Sequence, residues 1–382
     1  MKNLFMSIKK NKKPQLLIKI CLSFLGWRIF LFIISVLADN WLTYDPSFPY
    51  ASSLLANFGL PRWLYSWANF DGVHYLTIAN KGYVGTGLIQ AFFPLYPLLI
   101  FLGSLILKNQ VMTGLLLSNL FLIGALFFGF QVVKKQFNQK TAWWWIIVTL
   151  IFPTSFYYGT LYTESLFLFL SMFSLWLWQK KKLTKSFLVA GLLSATRLVG
   201  IFHLLALITE KLNKKYFFYF ALGGSGLLAF MIYLLLQFGD PLYFFHVQSE
   251  FGAGREESLI LLPQVYYRYI KILITVRPFD WKYFSYVQDL LLSTSAFALL
   301  AAVYKKLPKT FLIYSIFCLL IPTLTGTFSS MPRYILVCFP LFFALADLLA
   351  SSKKIYQYLY LAISLVLLII NTVLFIQGYW VA

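Results

Sequence analysis

Long apolar segments recur along almost the whole of this 382-residue chain, and they restrict its possible folds more than any other feature. About 18 or more apolar residues in a row can cross the hydrocarbon core of a bilayer as a helix. The segments lie at roughly 16–38, 91–108, 111–133, 142–159, 161–178, 187–209, 216–238, 286–304, 310–328, 333–350 and 355–378. We therefore predict an all-α, polytopic transmembrane bundle of about nine to eleven spans, with residues 1–382 forming a single membrane domain.

The charge of the chain supports the same conclusion. Only 12% of the residues are charged, whereas a soluble domain carries about 25%. The net charge is +20, and the cations form short clusters between the apolar segments, as at 134–140 and 180–185. Such clusters are typical of loops that face anionic lipid on the cytoplasmic side. We therefore expect a lipid bilayer, and no nucleic acid, as the partner of these cations.

The orientation follows from the ends of the first apolar segment. Five lysines lie within residues 1–13, and the segment after them has no small-residue cleavage site. We expect a retained first helix with the N-terminus in the cytoplasm. Two polar stretches, 39–90 and 239–285, then become external loops. Both are rich in aromatic residues, proline and glycine, so we expect each to carry helices at the membrane interface.

The number of spans depends on two interrupted segments. If every segment crosses, the lysine clusters at 134–140 and 180–185 lie outside, against the positive-inside rule. They move inside if 91–108, which contains two prolines, does not cross. The segment 187–209 would then be a pair of half-helices around Arg197, which requires surrounding protein or a cavity. Nine and eleven spans both stay open at this stage.

The first external loop contains the densest cluster of polar and aromatic residues. Asp71, His74 and Tyr75 follow one another at i, i+3 and i+4, so they share one face of a predicted short amphipathic helix. An acid and a histidine on one face indicate a candidate catalytic or binding site. The alternative is that Asp71 only caps or solvates the helix.

Three charged residues interrupt apolar segments, at positions where a charge is costly and usually faces a cavity or a partner. Glu164 lies near a predicted helix start, Arg197 lies within 187–209, and Arg333 lies at an outer helix end. Arginine binds phosphate through its planar fork of donors, which makes both arginines candidate phosphate ligands. The alternative for Arg197 is an ion pair that anchors Glu164.

The second external loop opens with Asp240 and Pro241, followed by aromatic residues and His246. This pattern predicts a turn and then an interfacial helix, with Asp240 and His246 as further candidate substrate contacts. The sequence has no Walker A loop, G-x-G-x-x-G, H-E-x-x-H or D-x-D motif. We therefore predict no cofactor and no metal site, although a metal requirement stays open.

Several motifs, taken in order, resemble those of the PIG-V-type mannosyltransferases (GPI mannosyltransferase 2). The first two are the segment from Phe70 to Tyr83 and the stretch 91–98, which reads A-F-F-P-L-Y-P-L. The others are Y-T-E-S at 162–165, A-T-R-x-x-G at 195–200, G-D-P-L at 239–242 and P-R-Y at 332–334. One departure is Phe70, where the family usually has tryptophan.

The resemblance implies a GT-C-like fold, an external active site and a polyprenyl-phosphate-linked sugar donor. It also implies an acidic catalytic base in the first external loop, and Asp71 is the matching position. The acceptor would be a glycan, a glycolipid or a protein. The short loops and lysine-rich N-terminus suit a bacterial plasma membrane.

The expected function is therefore an inverting mannosyl- or hexosyltransferase. Asp71 would act as general base, Arg197 and Arg333 would face the departing phosphate, and His74 would orient Asp71 or contact phosphate. The alternative is a lipid-linked sugar flippase or transporter, a class in which the two halves of the chain are often matched repeats.

Overall fold

The computed structural model describes residues 12–48, 51–85, 87–208, 214–251, 254–256, 258–276 and 280–381, and this part is helical without strands. The helices of eight or more residues in it are α1 (Lys12–Leu37), α2 (Asp71–Lys81), α3 (Leu95–Leu107), α4 (Gln110–Gln136), α5 (Gln139–Ile151), α6 (Glu164–Gln179), α7 (Leu183–Ser194), α8 (Lys214–Phe238), α9 (Leu262–Thr275), α10 (Trp281–Val303), α11 (Lys309–Thr323), α12 (Phe339–Ser351) and α13 (Lys354–Ile376). The predicted all-α class is confirmed.

Fewer helices than predicted are long enough to cross a membrane. Within the described ranges, α1, α4, α8, α10 and α13 qualify by length and composition. A sixth span results if Met331–Val337 and α12 form one span, although they meet at an 83° bend. In place of the predicted nine to eleven spans, the described residues contain five or six candidate spans, because several apolar segments form short helices. α3, for example, has 13 residues and is about 20 Å long, against about 30 Å for the hydrocarbon core.

The predicted interruptions are present. In the segment 91–108 the helix begins only after Pro94. In 187–209, α7 ends at Ser194 and Arg197 is extended, and two short helical turns, Leu198–Phe202 and His203–Ala206, follow. The extended backbone at Arg197 thus separates α7 from the two short turns.

The long helices carry apolar side chains on their outer faces. Exposed examples are Leu22 on α1, Leu236 on α8 and Ile363 on α13, each more than half exposed. Contiguous exposed apolar surface on several helices is unusual in a soluble monomer and suits contact with lipid tails. The chain is thus compatible with a multi-pass integral membrane protein.

Close helix packing places the elements that carry charged residues side by side. α4 packs against α5 and α6, α6 packs against α7, and α7 packs against α8. At the α7–α8 crossing, an added Cβ on Gly191 would lie 2.6 Å from the Leu222 carbonyl oxygen. A Cβ on Gly226 would likewise meet the Gly191 carbonyl oxygen. Small residues allow this backbone approach, as is common between membrane helices.

The helix that carries Asp71, α2, was predicted to lie at the membrane interface, and it is more buried than that prediction implies. α2 begins at Asp71, after two short helical turns, Arg62–Tyr65 and Ser66–Ala68. It packs against α3, and most of its apolar residues are buried. α2 is therefore part of the protein interior along one face.

In the second loop, α9 exposes Tyr267, Ile270 and Ile274, as expected of a helix at an interface.

Labelling of Asn138→Cys tests the topology. Asn138 is exposed and caps α5, between the lysines at 134–135 and Lys140. If α3 does not cross, a membrane-impermeant thiol reagent added to intact cells should leave the introduced thiol unlabelled, and permeabilised cells should label it. Cys21, Cys318 and Cys338 are replaced by alanine for this test. Full labelling in intact cells would contradict the interrupted topology.

Candidate functional site

The central feature of the site is an ion pair between Asp71 and Arg333. The two residues are 262 positions apart in sequence, and Asp71 Oδ2 lies 2.5 Å from Arg333 Nη1. Asp71 is the first residue of α2, and Arg333 lies in the short helix Met331–Tyr334. Their side chains are 16% and 8% exposed, so both members of the pair are largely removed from water.

Both halves of the pair follow a strained residue. Phe70 has φ 56° and Ser330 has φ 67°, which is a costly backbone region for residues other than glycine. Packing holds Phe70 in place, since its ring contacts the rings of Phe375 and Trp380. Such strain persists only where surrounding structure imposes it, and functional sites are where it clusters. Phe70 directly precedes Asp71, and Ser330 lies just before the Met331–Tyr334 helix that carries Arg333.

Glu164 and Arg197 extend the pair into a row of alternating charges. Glu164 Oε1 lies 2.5 Å from Arg197 Nη1 and 3.5 Å from Arg333 Nε. Glu164 is only 1% exposed, and it begins α6, where the helix dipole favours a negative charge. Two acids and two arginines thus balance each other in the interior. The contact between Arg197 and Glu164 is the ion pair that was expected if Arg197 anchors Glu164.

Three tyrosines surround the Arg333 guanidinium. Its central carbon lies 5.4 to 5.7 Å from the ring centres of Tyr157, Tyr162 and Tyr334. Tyr162 also fixes the start of α2, because its hydroxyl donates to the Asn69 carbonyl oxygen at 2.9 Å and accepts from the Asp71 N–H at 3.1 Å. Cation–π contacts stabilise a partly desolvated cation, and the fixed backbone orients Asp71.

A cavity of about 840 Å³ opens onto this row of charges. Of the predicted site residues, Asp71, His74, Tyr75, Arg197 and Arg333 line it. Glu164 lies behind the two arginines and is not part of the lining. The volume is in the range of pockets that hold small-molecule ligands.

Charge controls the protonation of Asp71, which lies outside the candidate spans. Burial would raise the pKa of its carboxyl, but Arg333 above all, together with His74 and Arg255, opposes this effect. The pKa is therefore lowered, and Asp71 is ionised at neutral pH. Burial lowers the pKa of His74, despite the opposing effect of Asp71. The His74 imidazole is stacked on Phe92 with ring centres 4.9 Å apart.

Asp240 and His246 lie elsewhere. Asp240 Oδ2 is 2.6 Å from His246 Nδ1, and the side chains of His246 and Asp240 are 57% and 31% exposed. Neither residue lines the cavity, although Phe244, Phe245 and Gln248 from the same segment do. The structure therefore does not bring this pair to Asp71. The hydrogen bond with His246 lowers the pKa of Asp240, as expected of an exposed local pair.

Several residues that line the cavity are not among the predicted site residues. Asp289 on α10 is a buried carboxylate that lines the cavity, yet it falls within the apolar segment 286–304. A single acid in such a segment is the signal that identifies it. Arg255 and Arg268 also line the cavity. Arg268 is paired with Glu256 at 2.5 Å.

A metal-binding cluster is not apparent in the described ranges. No group of three or more histidine, cysteine, aspartate or glutamate side chains there could hold a metal ion.

In comparisons with known proteins, no family model matches the chain, and no curated protein matches it either.

Proposed function

We propose that this protein is a membrane glycosyltransferase, resembling the PIG-V type and with a GT-C-like arrangement of helices. It would transfer a mannosyl or other hexosyl group from a polyprenyl-phosphate-linked donor to a hydroxyl of a glycan, glycolipid or protein. The reaction would take place on the extracytoplasmic side of a bacterial plasma membrane. The observation that carries the proposal is the Asp71–Arg333 pair at the wall of a cavity lined by Arg197 and Arg255 as well.

The chemistry requires little from the protein beyond a base and a cationic environment. The acceptor oxygen attacks the anomeric carbon, the bond from that carbon to the phosphate oxygen breaks, and the configuration inverts. The acceptor proton passes to the Asp71 carboxylate. The lipid phosphate leaves as an anion, so no general acid is needed, and nearby arginines stabilise the developing charge.

The contacts of Asp71 suit the role of base. Arg333 contacts Oδ2, which leaves Oδ1 to accept a hydrogen bond from the acceptor hydroxyl. Ionisation at neutral pH keeps the carboxylate ready to take a proton. Arg333 is held by Glu164 on its other side, so it can stabilise charge on the phosphate without moving far.

The direct test uses purified protein in lipid nanodiscs with polyprenyl-phosphate-linked hexoses and a mixture of hydroxyl acceptors. A new glycosidic product, found by mass spectrometry with inverted configuration, supports the proposal. The flippase alternative makes a different prediction. In sealed liposomes, a flippase would move the lipid-linked sugar between leaflets and form no product.

The pH dependence of transfer tests the link between Asp71 and Arg333. The lowered pKa keeps Asp71 in its base form as the pH falls, so kcat/KM should decrease only when the pH passes below the ordinary aspartate range. Arg333→Gln removes the charge that lowers this pKa, so the acidic limb should move to higher pH. At neutral pH kcat/KM should fall roughly tenfold or more, with a larger effect on the donor KM than on the acceptor KM. If the wild type and Arg333→Gln lose activity at the same acidic pH, Arg333 does not lower the pKa of the catalytic base, and the assigned link between Asp71 and Arg333 is wrong.

A further inference from the structure

Asp289 is a buried carboxylate that the proposed chemistry does not use. It is 2% exposed and lies on α10, where Lys282, Ser285, Tyr286 and Asp289 follow at i, i+3, i+4 and i+7 and all line the cavity. One face of α10 thus forms part of the cavity wall. Within the described ranges no cation pairs with Asp289, in contrast to Asp71 and Glu164.

A relay of hydrogen bonds fixes one oxygen of this carboxylate. The Ser329 N–H donates to Thr327 Oγ1 at 3.0 Å, and Thr327 Oγ1 lies 3.3 Å from the Tyr269 hydroxyl. The Tyr269 hydroxyl in turn donates to Asp289 Oδ2 at 3.3 Å. The relay starts four residues before Arg333, so it ties Asp289 to the loop that presents Arg333 to Asp71.

The other oxygen is left unused. Asp289 Oδ1 is buried and has no hydrogen-bond partner among the described residues. A buried polar atom without a partner costs free energy, and its presence in a cavity wall indicates a ligand that supplies the missing donor. Oδ1 is an acceptor, so the ligand group that it recognises is a hydrogen-bond donor, and a hydroxyl is the donor that a sugar supplies.

We propose that Asp289 binds a sugar hydroxyl, with Oδ1 as the acceptor and the Tyr269 relay as the support that orients it. This inference rests on the proposed function, and it divides the cavity into two parts. The part lined by Arg197, Arg255 and Arg333 takes the phosphate, and the part at Asp289 takes the polyol. The hydroxyl belongs either to the sugar of the donor or to a sugar of the acceptor.

The test compares Asp289→Asn with Ser293→Ala, a buried residue one turn further along α10 that does not line the cavity. Binding is measured for polyprenyl phosphate with and without a hexose. In Asp289→Asn the Tyr269 hydroxyl should hold the amide oxygen, so an N–H donor replaces the Oδ1 acceptor. Binding of the hexose-bearing lipid should therefore weaken roughly tenfold or more, and binding of the sugar-free lipid should not change. If the hydroxyl belongs to the acceptor substrate, the affinity for the donor lipid stays the same and the KM for the acceptor substrate rises by a similar factor. Ser293→Ala should change neither quantity.

Equal weakening of both lipids, or no change in donor affinity and acceptor KM, would overturn the inference. Tyr269→Phe gives a second route if Asp289→Asn does not fold. It retains the ring and removes the hydroxyl on Oδ2, so a smaller loss specific to the sugar is expected. Wild-type protein that forms no product with any donor contradicts the transferase proposal. In that case the comparison of the two lipids, together with direct binding of the sugar acceptor to wild type and Asp289→Asn, still decides the role of Asp289.

Discussion

Asp71→Asn is expected to abolish sugar transfer while the protein still folds and inserts. The asparagine amide has nearly the same shape, and its oxygen can still accept a hydrogen bond from Arg333. It cannot take up the proton of the acceptor hydroxyl. A positioned general base typically contributes 10²- to 10⁴-fold, so kcat should fall by about that factor. The measurement is the single-turnover rate in nanodiscs, with the melting temperature and elution profile as tests of folding.

Asp347→Asn is the matched control for this experiment. Asp347 is also a half-buried carboxylate in a hydrogen bond, with the Thr141 hydroxyl at 3.1 Å, but it does not line the cavity. Its replacement should leave kcat unchanged within about twofold. Turnover of Asp71→Asn at the wild-type rate would rule out Asp71 as the base. A loss in both variants would indicate a general effect of removing carboxylates.

The sequence identified the members of the charged row but not all of their contacts. Asp71, Glu164, Arg197 and Arg333 each stand out because a charge near apolar segments is costly. The sequence suggested the Arg197–Glu164 contact as one of two interpretations of Arg197. It did not suggest the Asp71–Arg333 pair, because this pair joins residues 262 positions apart and depends on how α2 packs against the Met331–Tyr334 turn. Arg333 therefore contacts the candidate base as well as lining the cavity.

The fold was predictable at the level of class and less so at the level of spans. Apolar length identifies helices well, as for α4 and α13, but it does not reveal where a segment breaks. The prolines in 91–108 and the charge of Arg197 within 187–209 were the sequence signals for two of these breaks. Asp289 gave a weaker one, because a single acid changes the mean hydropathy of segment 286–304 little. Its partner Tyr269 lies on α9, in a different segment, so only the packing of α9 on α10 joins them.

Glu164→Gln should be the most destabilising single change in the site. Glu164 lies between two arginines and is 1% exposed, whereas Arg197 and Arg333 are 13% and 8% exposed. Without its charge, Arg197 loses its ion pair and Arg333 keeps only Asp71. Loss of one partner from a buried pair typically costs about 3–5 kcal/mol, because an uncompensated charge stays buried. The melting temperature in detergent should fall clearly, and activity should fall with it.

The origin of this effect is tested by a second substitution. Glu164→Gln combined with Arg197→Gln removes one charge of each sign, so it should recover much of the lost stability. The Glu256–Arg268 pair is the matched control, since Glu256 is 45% exposed and water screens its charge. Glu256→Gln should therefore leave the melting temperature almost unchanged. If the double variant is no more stable than Glu164→Gln, the loss reflects packing around Glu164. In that case the row of charges does not account for the stability of the site.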